Sequence, residues 1–384
     1  MDIIPISTDD HAWEAPDTWT SRVEARFRDR CPQLADIDGA DWWVYNGEKV
    51  RKVGTGAAAM LENRGEVTRY HDAPAAVYDP AKRLEVMDED GVGVEVLFPQ
   101  AAGFGGGPFV STEGEVDLRI ACIRAYNDWL AEEWSDFSPR FVAQCLAPMW
   151  DAHLAAEEVR RAHALGHRAI VWTAAPQAYG FPHFNDAYWD VLWGTLQELD
   201  MPVALHIGSA KGGTPLWDEF SFFKRLAMVS TTAITSNVTV MANLLFSGVL
   251  DRFPELKFVS VESGLGWVPY LLETADHQFE AQHLWDEGMA MRPSEYFRRN
   301  CYVNFWFEAS GVALRHMIGI DNIMWEADFP HPTSTYPHSR KALETSLAEV
   351  PAEEQKKMVE TNAARLFHID VATLDLPESV TYVV

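Results

Sequence analysis

An α/β fold, a (β/α)8 TIM-type barrel with insertions over its C-terminal face, is the class this sequence predicts, and two observations carry it. Eight short apolar runs of strand character are spread along the 384 residues, and segments of helical period lie between them. Strand alternating with helix predicts a parallel sheet, and eight such units predict a closed barrel. A doubly wound open sheet is the competing arrangement, but no glycine-rich phosphate loop follows the first run. No linker or low-complexity tract divides the chain, so residues 1–384 read as one barrel domain.

Taken in order, the first run is Ile3-Ile4-Pro5-Ile6, which leads into Asp9-Asp10-His11. Residues 92–99 (VGVEVLFP), 140–148 (RFVAQCLAP) and 166–173 (GHRAIVWT) give the next three strands. The fifth, Pro202-Val203-Ala204-Leu205, stops at His206. Residues 256–262 (LKFVSVE) and 301–307 (CYVNFWF) follow, and Asn322-Ile323-Met324-Trp325 closes the series at Glu326-Ala327-Asp328. Helical periodicity covers 117–133, 152–165, 188–199 and 310–318. Two long insertions, 31–79 and 209–236, fall after the first and fifth strands and are placed over the barrel mouth.

Three of the eight runs stop at a histidine or a carboxylate, and barrel enzymes carry their chemistry at the carboxyl ends of the strands. A single strand ending in His or Asp is commonly structural. Three in series, early, middle and late, point to a divalent metal held by imidazole and carboxylate, and no nearby cysteine suggests a structural zinc cage.

Composition narrows the partners. The formal charge of −26 disfavours nucleic acid and anionic membrane, which need clustered cations. The N-terminus lacks the pattern of a signal peptide, and no apolar stretch approaches the roughly 18 residues of a membrane span. Cys31, Cys122, Cys145 and Cys301 show no pair spacing and read as reduced core residues of a cytoplasmic protein.

Residues 9–19 (DDHAWEAPDTW), 83–99 (RLEVMDEDGVGVEVLFP), LHIG around His206, 243–273 and WEADFPHP ending at Pro332 together resemble the amidohydrolase superfamily. The likeness is to its branch of aminocarboxymuconate-semialdehyde decarboxylase and the aromatic-acid decarboxylases. It implies a (β/α)8 barrel with a catalytic divalent metal, usually zinc or manganese. It further implies that Asp9 and His11 fill the first-strand pair of ligands, His206 the fifth-strand histidine and Asp328 the eighth-strand aspartate, which also moves a proton. Asp10, between the first pair, alternates to the opposite side of an extended strand and belongs behind the ligands or toward solvent. Glu14 and Asp17 follow in a loop that resembles the one after the family's motif, as helix-capping acceptors or as direct participants.

One departure stands out. These decarboxylases carry a catalytic histidine after the sixth strand, whereas this chain reads Val259-Ser260-Val261-Glu262-Ser263-Gly264. Glu262 is thus a candidate metal ligand or acid/base group, its alternative being a structural acceptor for a neighbouring loop. His331, three residues beyond Asp328, is a third candidate catalytic group, with His338 and Glu326 also in range. The histidines at 153, 163, 167 and 283 read as surface residues. A ligand list rich in carboxylates shifts the metal preference toward manganese or iron and leaves room for one or two ions.

The insertions carry Trp42, Trp43, Tyr70, Trp217, Phe220, Phe222 and Phe223, with Arg69, His71, Lys211, Lys224 and Arg225 among them. Aromatic walls with a few cations suit a small organic acid. The competing reading packs these rings onto the barrel or onto another subunit of a homo- or hetero-oligomer. The expected function is therefore a metal-dependent hydrolase or non-oxidative decarboxylase acting on a small carboxylate-bearing substrate. The alternatives are a dinuclear iron or manganese oxygenase resembling 2-aminoisobutyrate hydroxylase and a metal-bearing non-catalytic partner subunit.

Overall fold

Each of the eight apolar runs forms a strand in the computed structural model, which describes residues 2–54, 60, 67–111, 114–209 and 219–383. The barrel strands are β1 (Ile6–Ala12), β2 (Val94–Pro99), β3 (Phe141–Cys145), β4 (Ala169–Val171), β5 (Val203–His206), β6 (Phe258–Val261), β7 (Cys301–Phe305) and β8 (Ile323–Trp325). They pair in parallel in chain order from β1 to β8, and every strand residue is buried. That continuous burial is what apolar runs covered by helices on one side and a filled interior on the other require.

The first strand begins later than the apolar run suggests. Pro5 has no N–H to give to a ladder, and its carbonyl accepts from Gly93 N at 2.8 Å instead. Asp2–Ile3 pairs antiparallel with Tyr382–Val383, so the two ends of the chain meet in a small ribbon. Further along, β1 loses one step of register against β2 between Ser7 and Asp10. The bulge places an extra residue at Thr8 or Asp9 and re-aims the strand just where the ligand candidates begin.

Between β8 and β1 the barrel is closed by a seam. Thr8 Oγ1 donates to Trp325 O at 2.9 Å and Ala327 N to Ser7 Oγ at 2.7 Å. Asp328 N donates to Asp9 O at 2.8 Å, and His11 N to Phe329 O at 2.7 Å.

Helices cover the outside. Ala152–Ala164 starts at Asp151, whose carboxylate accepts from His153 N and Leu154 N at 2.9 and 3.0 Å, a standard cap for the free N–H groups of a first turn. Val116–Leu130 and Asp190–Glu198 lie within two residues of the positions the periodicity predicts at their starts. The segment expected as one helix over 310–318 splits into Ala309–Ala313 and Arg315–Ile318.

The insertion after β1 builds a three-stranded antiparallel sheet from Gln33–Ile37, Ala40–Tyr45 and Glu48–Lys52. Its aromatic residues mostly pack: Trp43 meets Trp19 edge-on at 5.2 Å, and Tyr70 lies buried against Trp13 and Tyr78. Arg69 is taken by Asp36 and Asp41 at 2.8 Å each. Lys211 and Trp217 lie outside the described residues. Helices Phe222–Thr232 and Ile234–Phe246 run on end to end. Among the described residues Phe223–Phe246 is, by length and composition alone, long and apolar enough to cross a membrane. Its second half packs Val240, Met241, Leu244 and Leu245 into the core.

All four cysteines are free and buried. One histidine corrects the sequence reading: His167 is fully buried, with Nε2 2.9 Å from Asn127 O. It sits where the chain turns from helix into β4, and a polar residue between Gly166 and Arg168 gives no periodic sign of burial.

Candidate metal centre

Asp9 and His11 lie in β1, His206 ends β5, Glu262 follows β6 and Asp328 follows β8, so five candidates from four strands converge at the carboxyl end of the barrel. Asp9 Oδ1 stands 3.4 Å from His11 Nε2 and 3.3 Å from His206 Nε2. Asp328 Oδ1 is 3.6 Å from His11 Nε2, and Glu262 Oε2 is 3.7 Å from His206 Nε2. Asp9, His11 and His206 can present one ligand atom each to a common ion, as can His11, Asp328 and His331.

Unpartnered atoms are concentrated in this cluster, on side chains that face one another. Both oxygens of Asp9, both ring nitrogens of His11 and Nε2 of His206 are buried without a hydrogen-bond partner. Buried polar atoms are otherwise almost always paired. His206 Nδ1 lies 2.7 Å from Ile207 O, so that nitrogen carries the proton and Nε2 presents a lone pair. A lone pair facing two carboxylates is repulsive unless a cation lies between them. The same arrangement, one imidazole nitrogen donating to a carbonyl while the other is free, orients a ligating histidine. The donor set therefore fits a divalent metal ion.

Electrostatics agree with this reading. Burial pushes Asp9 well above the usual carboxylate range, and the neighbouring Asp328 pushes it further. Glu262 is raised by burial and then by Asp328, Asp9 and Glu326. Burial holds His11 well below its ordinary value and pushes His206 down to about 4. Neutral imidazoles offer lone pairs, and a divalent cation beside them would favour the ionised form of the carboxylates.

Asp328 differs. Burial would raise it, but His331 and His11 together, by charge and by hydrogen bond, hold the carboxylate below its ordinary range. His331 Nδ1 is 2.6 Å from Asp328 Oδ1, Thr333 Oγ1 donates to Oδ2, and the His331 ring lies 3.9 Å from that of His11. His331 thus lies at the strand ends beside Asp328 and His11. Asp328 and Glu262 both hold left-handed backbone, at φ +59 and +54°, a conformation costly for residues with a Cβ.

The other candidates disperse. Asp10 is buried on the far side of β1, as alternation requires, where Oδ1 accepts from Phe329 N at 3.0 Å; it is not solvent-facing. Glu14 is a loop anchor, accepting from Gln100, Ala101 and Ala102 N at 3.2, 2.7 and 2.9 Å, while Asp17 is exposed. Glu326 points inward below the centre, with Oε2 accepting from Asn304 Nδ2 at 2.8 Å and from Glu262 N at 3.2 Å. His338 is exposed at the start of helix Ser339–Ser346.

Three participants escaped the sequence reading. Phe104, in the loop after β2, stacks on His206 with centroids 3.8 Å apart. Thr333 bonds Asp328, and only its place two residues after His331 hinted at this. Arg83 is fully buried behind β1, donating to Ala76 O at 2.7 Å, to Glu95 Oε2 at 3.0 Å and to the His11 carbonyl. A cavity of about 570 Å³ opens beside the centre, reaching Thr333, with Trp267, Trp306 and Phe307 in its wall.

The profile of the amidohydrolase family matches residues 11–369. A gamma-resorcylate decarboxylase from Polaromonas sp. is 28% identical over 307 residues, covering 75% of this chain and 87% of that protein. An amidohydrolase from Mycobacterium avium subsp. paratuberculosis superposes with a TM-score of 0.73 at 22% identity, over 96% of this chain and 100% of that one. A dihydroxybenzoic acid decarboxylase from Polaromonas sp., solved with manganese and the inhibitor 2-nitroresorcinol, gives 0.61 at 20% identity over 95% and 97%.

Proposed function

The chain belongs to the amidohydrolase family, and we propose that within it the protein is a metal-dependent, non-oxidative decarboxylase of a small aromatic carboxylate, working as one barrel unit. It is a metal-dependent enzyme of the hydrolase or carbon–carbon lyase kind; the finer reading rests on one observation. Unpartnered imidazole nitrogens and carboxylate oxygens converge at the strand ends, and a cavity walled by Trp267, Trp306 and Phe307 reaches Thr333, the residue bonded to Asp328. A charged pole beside aromatic walls suits an aromatic ring bearing a carboxylate.

In this reading Asp9, His11, His206 and Asp328 hold one divalent ion, with Glu262 at its margin. Such an ion, held by these residues, would supply Lewis-acid charge toward the carboxylate of the substrate. Asp328 and His331, joined at 2.6 Å, hold the proton that is delivered to the ring carbon bearing the carboxylate. The carbon–carbon bond then breaks, its electrons restore the ring, and carbon dioxide leaves. Burial of the site keeps bulk water from quenching the ring intermediate. Phe104 fixes the His206 ring by stacking, and Thr333 fixes Asp328.

Glu262 favours a second reading. A carboxylate at the strand end, raised by burial and like charges, is suited to take a proton from water attacking a carbonyl. The hydrolase alternative rests on it. The dioxygen-activating alternative draws no support from the relatives.

The test is to load the purified protein with manganese or zinc and supply hydroxybenzoates, 2,6-dihydroxybenzoate among them, while measuring carbon dioxide and the decarboxylated arene. Stoichiometric release of both supports the proposal. Cleavage of esters, amides or lactones with no carbon dioxide from any aromatic acid overturns it in favour of hydrolysis.

A further inference from the structure

The cavity beside the metal centre is lined by loop residues following β6, β7 and β8 and by the helical segment after β5. Among the described residues in its wall, Glu308 alone is ionisable. We propose that Glu308 determines specificity: its carboxylate accepts a hydrogen bond from a hydroxyl or amino group that the substrate carries away from its reacting carboxylate. The proposal rests on the aromatic-acid reading above and names the substituent that reading leaves open.

Three observations support it. First, Glu308 is fixed by backbone, with Oε1 accepting from Leu265 N at 2.9 Å and Oε2 from Trp306 N at 3.2 Å. Second, residue 264 is a glycine at φ +64°, and a Cβ there would meet Glu308 Oε1 at 3.1 Å. The absence of a side chain gives the carboxylate its place. Third, its neighbours are apolar or weakly polar: Trp306 and Phe307 meet edge-on at 4.8 Å, and Trp267 spends its indole N–H on Ser263 O at 2.8 Å. Burial raises Glu308 above the ordinary carboxylate range, against its own backbone N–H and those of Leu265, Trp306 and Phe307, which pull it down.

The chemical consequence is selection by both attraction and repulsion. A ring hydroxyl, amino or ammonium group gains a charge-assisted bond. A methoxy group in the same place gains none, and a second carboxylate is repelled.

Isothermal titration of the metal-loaded protein with matched benzoates, bearing hydroxyl, amino, methoxy or a second carboxylate, tests this without relying on turnover. Hydroxyl and amino compounds should bind on the order of 10–100-fold tighter than the methoxy and dicarboxylate partners, the scale of a bond to a charged group. Glu308→Gln should reduce the penalty on the dicarboxylate, and Glu308→Leu should erase the hydroxyl preference, with metal content unchanged. A preference that survives Glu308→Leu overturns the proposal, as does a lowered melting temperature with unchanged selectivity, which would make Glu308 a loop staple. Failure of every benzoate to bind also overturns it. Binding preference without carbon dioxide release supports Glu308 while counting against the decarboxylase reading.

Discussion

Two buried polar clusters lie back to back across β1, and they differ in how their bonds are spent. On the inner side, Asp9, His11 and His206 leave buried oxygens and nitrogens unpartnered. On the outer side, Arg83 gives its guanidinium to Glu95, Ala76 O and His11 O, and its plane covers the Phe329 ring at 4.2 Å. Arg140 completes that layer by donating to Gly93 O and Val92 O at 2.8 and 2.9 Å. Both clusters are equally buried, so burial does not distinguish a site from a scaffold. Pairing does: in the outer layer the charged groups of Arg83, Glu95 and Arg140 spend their bonds on one another and on backbone, with Asp10 Oδ2 left over, whereas the inner cluster leaves three neighbouring ligand side chains unpartnered at once.

The largest effects should come from exchanging these roles. His206→Ala should leave the fold intact by circular dichroism and drop bound metal from about one ion per chain toward none. Turnover should then fall by more than the roughly 10–100-fold typical of an outer-shell partner. Full metal content in that variant would refute the inner cluster as a metal centre. Arg83→Met should do the reverse, costing about 3–5 kcal/mol of stability because Glu95 is left buried without its partner. Denaturant titration reads that loss, and a stable Arg83→Met protein with little metal would blur the distinction drawn here.

Asp328→Asn sharpens the comparison within the inner cluster. An amide keeps an oxygen for the ion but cannot hold the proton, so metal content should survive in part while kcat falls about 10²–10⁴-fold. Near-normal kcat would move the proton transfer to Glu262.

The smallest effect concerns a histidine outside both clusters. His167 is held neutral by burial, pushed down to about 4 from an ordinary 6.5. The unfolded chain therefore binds a proton that the folded chain refuses between those values. The contribution of His167 is complete above about pH 6.5 and is lost as pH falls toward 4. Replacing it with Asn should flatten the pH dependence of the melting temperature in that window. An unchanged slope would assign the dependence to other groups.

Much of this was legible in the chain because the signals are local. An apolar run that stops at His206 or Asp328 announces both a strand and the residue that leaves its end. Alternation placed Asp10 behind Asp9 and His11 but could not tell a buried back face from solvent, which depends on Arg83 and Glu95 arriving from elsewhere. The bulge at Thr8–Asp9 depends on the partner strand, since register belongs to a pair. Phe104 stacks on His206 across about a hundred residues of sequence, from a glycine-rich loop without periodicity. Glu262 was singled out by the absence of a histidine, and its left-handed backbone had no sequence sign because glycine is what that conformation ordinarily selects.

The seam that closes the barrel is built from the same residues that bracket the metal centre: Asp328 N on Asp9 O, and His11 N on Phe329 O. Ring closure and ion binding are thus one mechanical element, a clasp whose pin is the cation. An ion that pulls Asp9, His11 and Asp328 together also pulls β1 and β8 shut, so the metal should act as a kinetic lock on the first opening of the ring. Amide exchange gives that idea a local address. The His11 and Asp328 protons should slow on metal loading far more than those of β3 and β4 on the opposite side, whose ladder the ion does not touch.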